Sequence, residues 1–187
     1  MKRVFHALIG FVVASLLLCP VAHAEVDDAA ANGFAITDVL HIAAPPEQVY
    51  AALIQPSGWW SSRHTFSGSA ANLTLDPKAG GCWCEKLGDG ASVQHMAVFF
   101  VLPNKRLVLR GALGPLQGLG AEGAMTIDLK PEDGGTELHV TYNVGGYVAG
   151  GLETWAKPVD GVLAEQLGRL KMLIESGSPD LKTETTP

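Results

Sequence analysis

Among the residues able to do chemistry, Glu85 sits in the run Cys82-Trp83-Cys84-Glu85, ahead of a second polar group, His95, in Gln94-His95-Met96. A carboxyl and an imidazole can serve as general acid and base, but catalysis needs titratable groups that converge, and the sequence displays no converging set. Beyond residue 24 the histidines are His41, His64, His95 and His139. No ligand spacing joins two of them, so surface or strand-face positions are expected for all four and no metal site is predicted. No serine lies in a Gly-x-Ser-x-Gly elbow, and the sequence suggests no cofactor. Cys82 and Cys84 are the two cysteines beyond residue 24. Two positions apart on one strand, their Cα atoms would be roughly 6.5 to 7 Å apart, at or beyond the reach of a relaxed disulfide, so small strand residues are the expectation. A lone Cys-x-Cys is also a weak zinc signal.

Which side chains meet depends on the hairpin that carries them. Asp89-Gly90 is a good two-residue turn between strands at 82–87 and 92–101. That turn places Glu85 opposite Gln94 and Trp83 opposite Met96, on a face shared with Val98 and Phe100. A three-residue turn would instead set Trp83 against His95, so the register decides which polar side chain points inward. Glu85 then either lines a cavity or stands exposed at a strand end. In the cavity case, desolvation would raise its pKa, since no lysine or arginine is placed to compensate.

Something must cover that face, and the covering element is the helical pattern at 155–174. Val159, Leu163, Leu167, Leu170 and Ile174 recur at helical spacing, while Asp160, Glu165 and Lys171 fall on the wet side. Gln166 interrupts the apolar arc. It either bonds a neighbouring backbone group or projects into a cavity beneath the helix.

The remaining chain reads as an α+β domain. A strand at 34–43 is followed by Pro45-Pro46-Glu47 and a short helix with Val49, Tyr50, Leu53 and Ile54 on one side. Trp59-Trp60 lies in a second short helix or turn, and at least one of the pair must face the interior or a pocket. Short strands at 73–75, 106–111, 125–129 and 138–142 complete a meander. The Gly-rich insert at 111–120 has no lysine after its glycines and opens no helix, so it is no phosphate loop and reads as a mobile flap.

At 187 residues and a net charge of −6 the chain suits one domain and is a poor nucleic-acid binder. Lys2-Arg3, an apolar run at 4–18 and small residues at Ala22 and Ala24 form a secretory signal, so residues 1–24 should be removed and the product should be periplasmic or secreted. The apolar run is short for a spanning helix. Leu18 before Cys19 does not suit a lipid-anchor site, and no stable membrane anchor is expected. Residues 25–33 are expected as a flexible lead, 34–176 as the domain and 177–187 as a disordered tail.

Several motifs in order carry a resemblance: Ala44-Pro45-Pro46-Glu47-Gln48-Val49-Tyr50, Trp59-Trp60, Gly80-Gly81 before a strand, Pro103-Asn104-Lys105-Arg106-Leu107 and Gly134-Gly135-Thr136-Glu137-Leu138. In these the chain resembles the START/Bet v-like helix-grip superfamily, SRPBCC, which includes polyketide cyclases and dehydrases. Its nearest likeness is to the branch resembling the activator of the ninety-kilodalton heat-shock chaperone ATPase. The resemblance implies a curved antiparallel sheet gripping the last helix, with a cavity for a hydrophobic or aromatic small molecule. Trp59, Trp60, Trp83, Glu85, Gln94, Met96 and Gln166 are the candidate lining residues. The alternative is a cyclase- or dehydrase-like enzyme using Glu85 or His95 as acid or base. An export signal separates the chain from a cytosolic chaperone.

Overall fold

The computed structural model describes residues 24–180, so the expected export segment and most of the tail lie outside the described residues. Eight antiparallel strands form one sheet: β1 Ala24–Ala30, β2 Gly33–Ile42, β3 Leu73–Leu75, β4 Cys82–Gly88, β5 Ala91–Leu102, β6 Arg106–Arg110, β7 Gly120–Glu132 and β8 Gly135–Tyr147. Their spatial order is β1-β2-β8-β7-β6-β5-β4-β3. Helix α1 Pro46–Leu53 follows β2, and α2 Glu153–Ser176 closes the fold. This is the α+β helix-grip architecture that the motifs imply.

Alternation builds the core. In β2, Phe34, Ile36, Leu40 and Ile42 face inward, and in β8 Leu138, Val140, Tyr142 and Val144 do the same. Leu163, Leu167 and Leu170 of α2 pack on this face, as the periodicity predicts. Asp38 shares the inward side of β2 with those apolar residues and is 2% exposed, and Asp160 of α2 is half-buried rather than on the wet side. Pro46 opens α1 and Val49, Tyr50 and Leu53 are its buried side.

Two expectations are corrected. Residues 25–33 are no flexible lead: β1 pairs with β2 from Ala24↔Asp38 to Ala30↔Gly33, because β2 would otherwise present an unpaired edge. The insert at 111–120 is also no loose flap. A short 3-10 helix, Gly114–Gly118, buries Leu116 completely, and Tyr142 Oη donates to Gly111 O at 3.1 Å and accepts from Leu113 N–H at 3.2 Å. Gly123 on β7 makes room for this tyrosine, since a Cβ there would lie 2.4 Å from its ring. Burial pushes the Tyr142 phenol up to about 12, so it stays a donor.

Candidate functional site

The β4–β5 hairpin decides the site. Asp89 and Gly90 both have positive φ, 50° and 82°, which is the two-residue turn that the Asp-Gly pair favours. The register then slips twice. Leu87 is an extra residue on β4, between the pairs Gly88↔Ala91 and Lys86↔Ser92. His95 is an extra residue on β5, between Cys84↔Gln94 and Trp83↔Met96. The two bulges cancel, so Trp83 faces Met96 as the turn predicts, while Glu85 pairs with Val93 rather than Gln94.

The second bulge turns both His95 and Met96 inward, so His95 is a strand-face residue on the buried side of β5. Glu85 is fully buried on the same side, and its Oε2 lies 2.9 Å from His95 Nε2. The alternatives between Glu85 and His95 are therefore resolved as a hydrogen-bonded pair.

Glu85 also accepts from the backbone N–H groups of Phe66 (3.1 Å) and Ser67 (2.5 Å), in the segment between α1 and β3. Burial alone would raise its pKa, but the hydrogen bonds from Ser67, Phe66 and His95 outweigh it and hold the carboxyl below its ordinary value. The expected rise is thus reversed, because backbone N–H donors supply the compensation that no lysine or arginine does. Burial lowers the pKa of His95 despite its bond to Glu85, so the ring is neutral at pH 7. An ionised carboxylate only accepts, which places the imidazole proton on Nε2 and leaves Nδ1 unprotonated. Nδ1 lies 3.5 Å from Gln117 Nε2 on the flap, the outer limit of a hydrogen bond.

Beside this pair lies a cavity of about 360 Å³. Trp83 and His95 form its sheet wall with Leu73. Trp60, Arg63, His64, Thr65 and Phe66 come from the segment after α1, Leu113, Gly114, Pro115 and Leu116 from the flap, and Trp155, Pro158, Val159, Val162 and Leu163 from α2. Trp60 meets Trp83 edge to face at 4.9 Å, and Trp59 meets Trp60 at 5.4 Å. Phe66 stacks on His95 at 5.9 Å and is itself exposed. At the rim, Glu165 of α2 accepts from Arg63 (2.9 Å) and pairs with His64 (3.2 Å). Their hydrogen bonds outweigh burial and lower the Glu165 pKa.

Of the sequence candidates, Trp60 and Trp83 line the cavity. Trp59 belongs to the core beneath it, its Nε1 donating to Ala52 O at 3.1 Å. Glu85 stands behind His95, and Met96 is packed into the core. Gln94 is exposed, because the bulge sends its neighbour inward in its place. Gln166 is buried, and its Oε1 accepts from Ser61 N–H at 2.7 Å, so it bonds backbone and borders only a small void of about 20 Å³. Sequence reasoning missed Arg63, His64, Phe66, Leu116 and Trp155. They sit in irregular segments or at a helix start, where no periodicity marks an inward side.

Cys82 and Cys84 are joined as a disulfide with Cα atoms 5.4 Å apart, inside the range such a bond spans. The expectation of unpaired cysteines assumed a regular strand, whereas these Cα atoms stand closer than regular strand spacing allows, beside the register shift between Trp83 and Cys84. Among the described residues no cluster of three or more acidic, histidine or cysteine side chains is placed to hold a metal ion.

A curved antiparallel sheet closed by a long C-terminal helix, with a cavity between them, defines the SRPBCC helix-grip class. Within it, residues 43–175 match the model of the Activator of Hsp90 ATPase homolog 1-like protein family, and the chain belongs to that family. Solved structures share the fold. CalU16 from Micromonospora echinospora is 17% identical over 84% of this chain and 88% of its own, with a TM-score of 0.56. DynU16, from the dynemicin biosynthetic locus, is 21% identical over 78% of this chain, which spans 48% of its length, with a TM-score of 0.57. SA2116 from Staphylococcus aureus, of unknown function, is 13% identical over 78% and 95%, also with a TM-score of 0.57. At these identities the likeness is one of fold. No curated protein sequence matches the chain significantly.

Proposed function

We propose that the protein is exported and binds a hydrophobic or aromatic small molecule in the cavity between sheet and α2. The observation that carries this reading is the cavity itself: about 360 Å³, walled largely by tryptophan, leucine, valine and proline side chains with few polar groups. Its size suits a compact ring system. Export is supported by the signal pattern at the N-terminus and by the Cys82–Cys84 disulfide, since such bonds persist in oxidising compartments. No helix among the described residues is long and apolar enough to cross a membrane. Intact-mass analysis of the periplasmic fraction should give a chain beginning at Glu25; a mass retaining residues 1–24, or a lipid adduct on Cys19, overturns the export reading.

Trp60 and Trp83 are natural reporters of binding. A panel of lipids, quinones and aromatic compounds should shift tryptophan fluorescence and raise the melting temperature for at least one class. A flat response throughout, with no species co-purifying by mass spectrometry, overturns the binding reading.

The 2.9 Å contact between Glu85 and His95 favours a second reading, an acid–base enzyme of the cyclase or dehydrase kind. His95 would take or give the proton at Nδ1 while Glu85 holds the ring. Glu85→Gln separates the two: a binder keeps its ligand with modest change in affinity, whereas an enzyme loses turnover while retaining binding.

A further inference from the structure

On the inward side of β5 and β6, Val98, Leu107 and Leu109 are buried in the core. Their outward side is less ordinary. Between the pairs Val98↔Leu109 and Phe100↔Val108, β5 holds one extra residue, Phe99, so two successive phenylalanines stand outside the core. Phe99 is 58% exposed, Phe100 48% and Leu102 46%. Among the described residues seven large apolar side chains are exposed, and three of them fall within 99–102. Such a concentration marks a contact surface, because single exposed apolar residues are common and clusters of them are not. The same stretch is cationic. From Gly90 to Ala121 the chain carries Lys105, Arg106 and Arg110 and no acid, in a protein of net charge −6. Leu102 stands opposite Arg106 and Ala97 opposite Arg110, on the outward side with Phe100. The Arg110 guanidinium lies over the Phe99 ring, 5.1 Å from its centroid. Two acids border the patch from β7, Glu122 and Asp128. Arg106 holds Asp128 (2.8 Å from Nη2), whereas Lys105 and Arg110 make no ion pair among the described residues.

We propose that this face seats the protein reversibly on an anionic lipid surface. Phe99, Phe100 and Leu102 enter the headgroup boundary, and Lys105 and Arg110 meet lipid phosphates. Charge complementarity selects this occupant. A bilayer interface takes apolar side chains toward the acyl region while long basic side chains reach back to the negatively charged headgroups, which is the arrangement found here. None of these residues lines either cavity, so the inference stands apart from the ligand-binding reading. A bilayer also needs no pocket, since it yields to side chains that protrude. Three apolar side chains and two unpaired cations make a peripheral contact rather than an anchor, and one that salt weakens.

The test is co-sedimentation with vesicles of phosphatidylcholine alone and of phosphatidylcholine mixed with phosphatidylglycerol. Parent and variants are purified in the same way, so any contribution of the apolar run at 4–18 is common to both. Two cations should make partition into the mixed vesicles about thirtyfold stronger than into phosphatidylcholine. Lys105→Gln with Arg110→Gln should cut that preference to about threefold or less. Phe99→Ser with Phe100→Ser should weaken partition into the mixed vesicles about tenfold or more. Should these variants fail to fold, the conservative Phe100→Trp answers instead: relative to the parent, the new indole should shift to the blue with mixed vesicles and be quenched by lipids brominated in their acyl chains. Failure of the parent to sediment with mixed vesicles, equal partition into both kinds, or a new indole that bound vesicles leave unquenched overturns the proposal. So does a concentration-dependent dimer in analytical ultracentrifugation that Phe99→Ser with Phe100→Ser dissolves while vesicle partition is unchanged, which would assign the face to a second copy of the chain.

Discussion

Asp38 provides the sharpest test of how the last helix is seated. It is buried on the core side of β2, its Oδ2 has no hydrogen-bond partner, and Asp160 of α2 likewise buries an unpartnered Oδ1. Burial first, then the charges of Asp160 and Asp27, push the Asp38 carboxyl up from 3.8 to about 7. A raised carboxyl binds its proton more tightly in the folded chain than in the unfolded one. Its stability contribution is therefore complete below about pH 4, is lost as pH rises through 7, and is flat above that. The rise corresponds to about 4 kcal/mol in all, of which about 3 kcal/mol falls between pH 5 and 8. Asp38→Asn removes the titration and lets an amide N–H approach the Asp160 carboxylate. Relative to the parent, the variant should gain about 1 to 2 kcal/mol at pH 5 and about 4 kcal/mol at pH 8, by urea denaturation. Comparing the two proteins at each pH cancels His95, whose lowered pKa acts with the opposite sign in the same window. A difference that does not change between pH 5 and 8, or a variant less stable than the parent at pH 8, refutes the reasoning.

Two further outcomes follow from particular bonds. Gln166→Leu deprives the buried Ser61 N–H of its acceptor, and although it also removes the unpartnered Nε2, urea denaturation should show a net loss of about 1 to 2 kcal/mol; a gain in stability would mean that the bond contributes nothing. The disulfide closes a very short loop, so Cys82→Ser with Cys84→Ser should cost no more than about 1.5 kcal/mol, while alkylation of the unfolded parent should label neither cysteine unless it is reduced first.

What the chain displays by itself is periodicity, and periodicity settles the elements. The spacing of Leu163, Leu167 and Leu170 specifies α2, the alternation through Phe34, Ile36, Leu40 and Ile42 specifies β2, and Asp89-Gly90 specifies its turn, because each of these is a local property of neighbouring residues. The order of the motifs is enough for the superfamily. Tertiary structure alone decides the rest. Nothing in the sequence marks Leu87 and His95 as bulges, yet those two extra residues bring His95 inward beside Glu85 and keep Gln94 outside, and nothing in it shows that Cys82 and Cys84 stand within bonding reach. The same holds for Gln166, whose partner Ser61 is 105 residues away. It holds too for β1, a polar, alanine-rich segment that becomes a strand only because β2 offers it an edge. Residue pattern reports which face of an element is apolar; where a polar group on that face finds its partner depends on which distant backbone the fold lays against it.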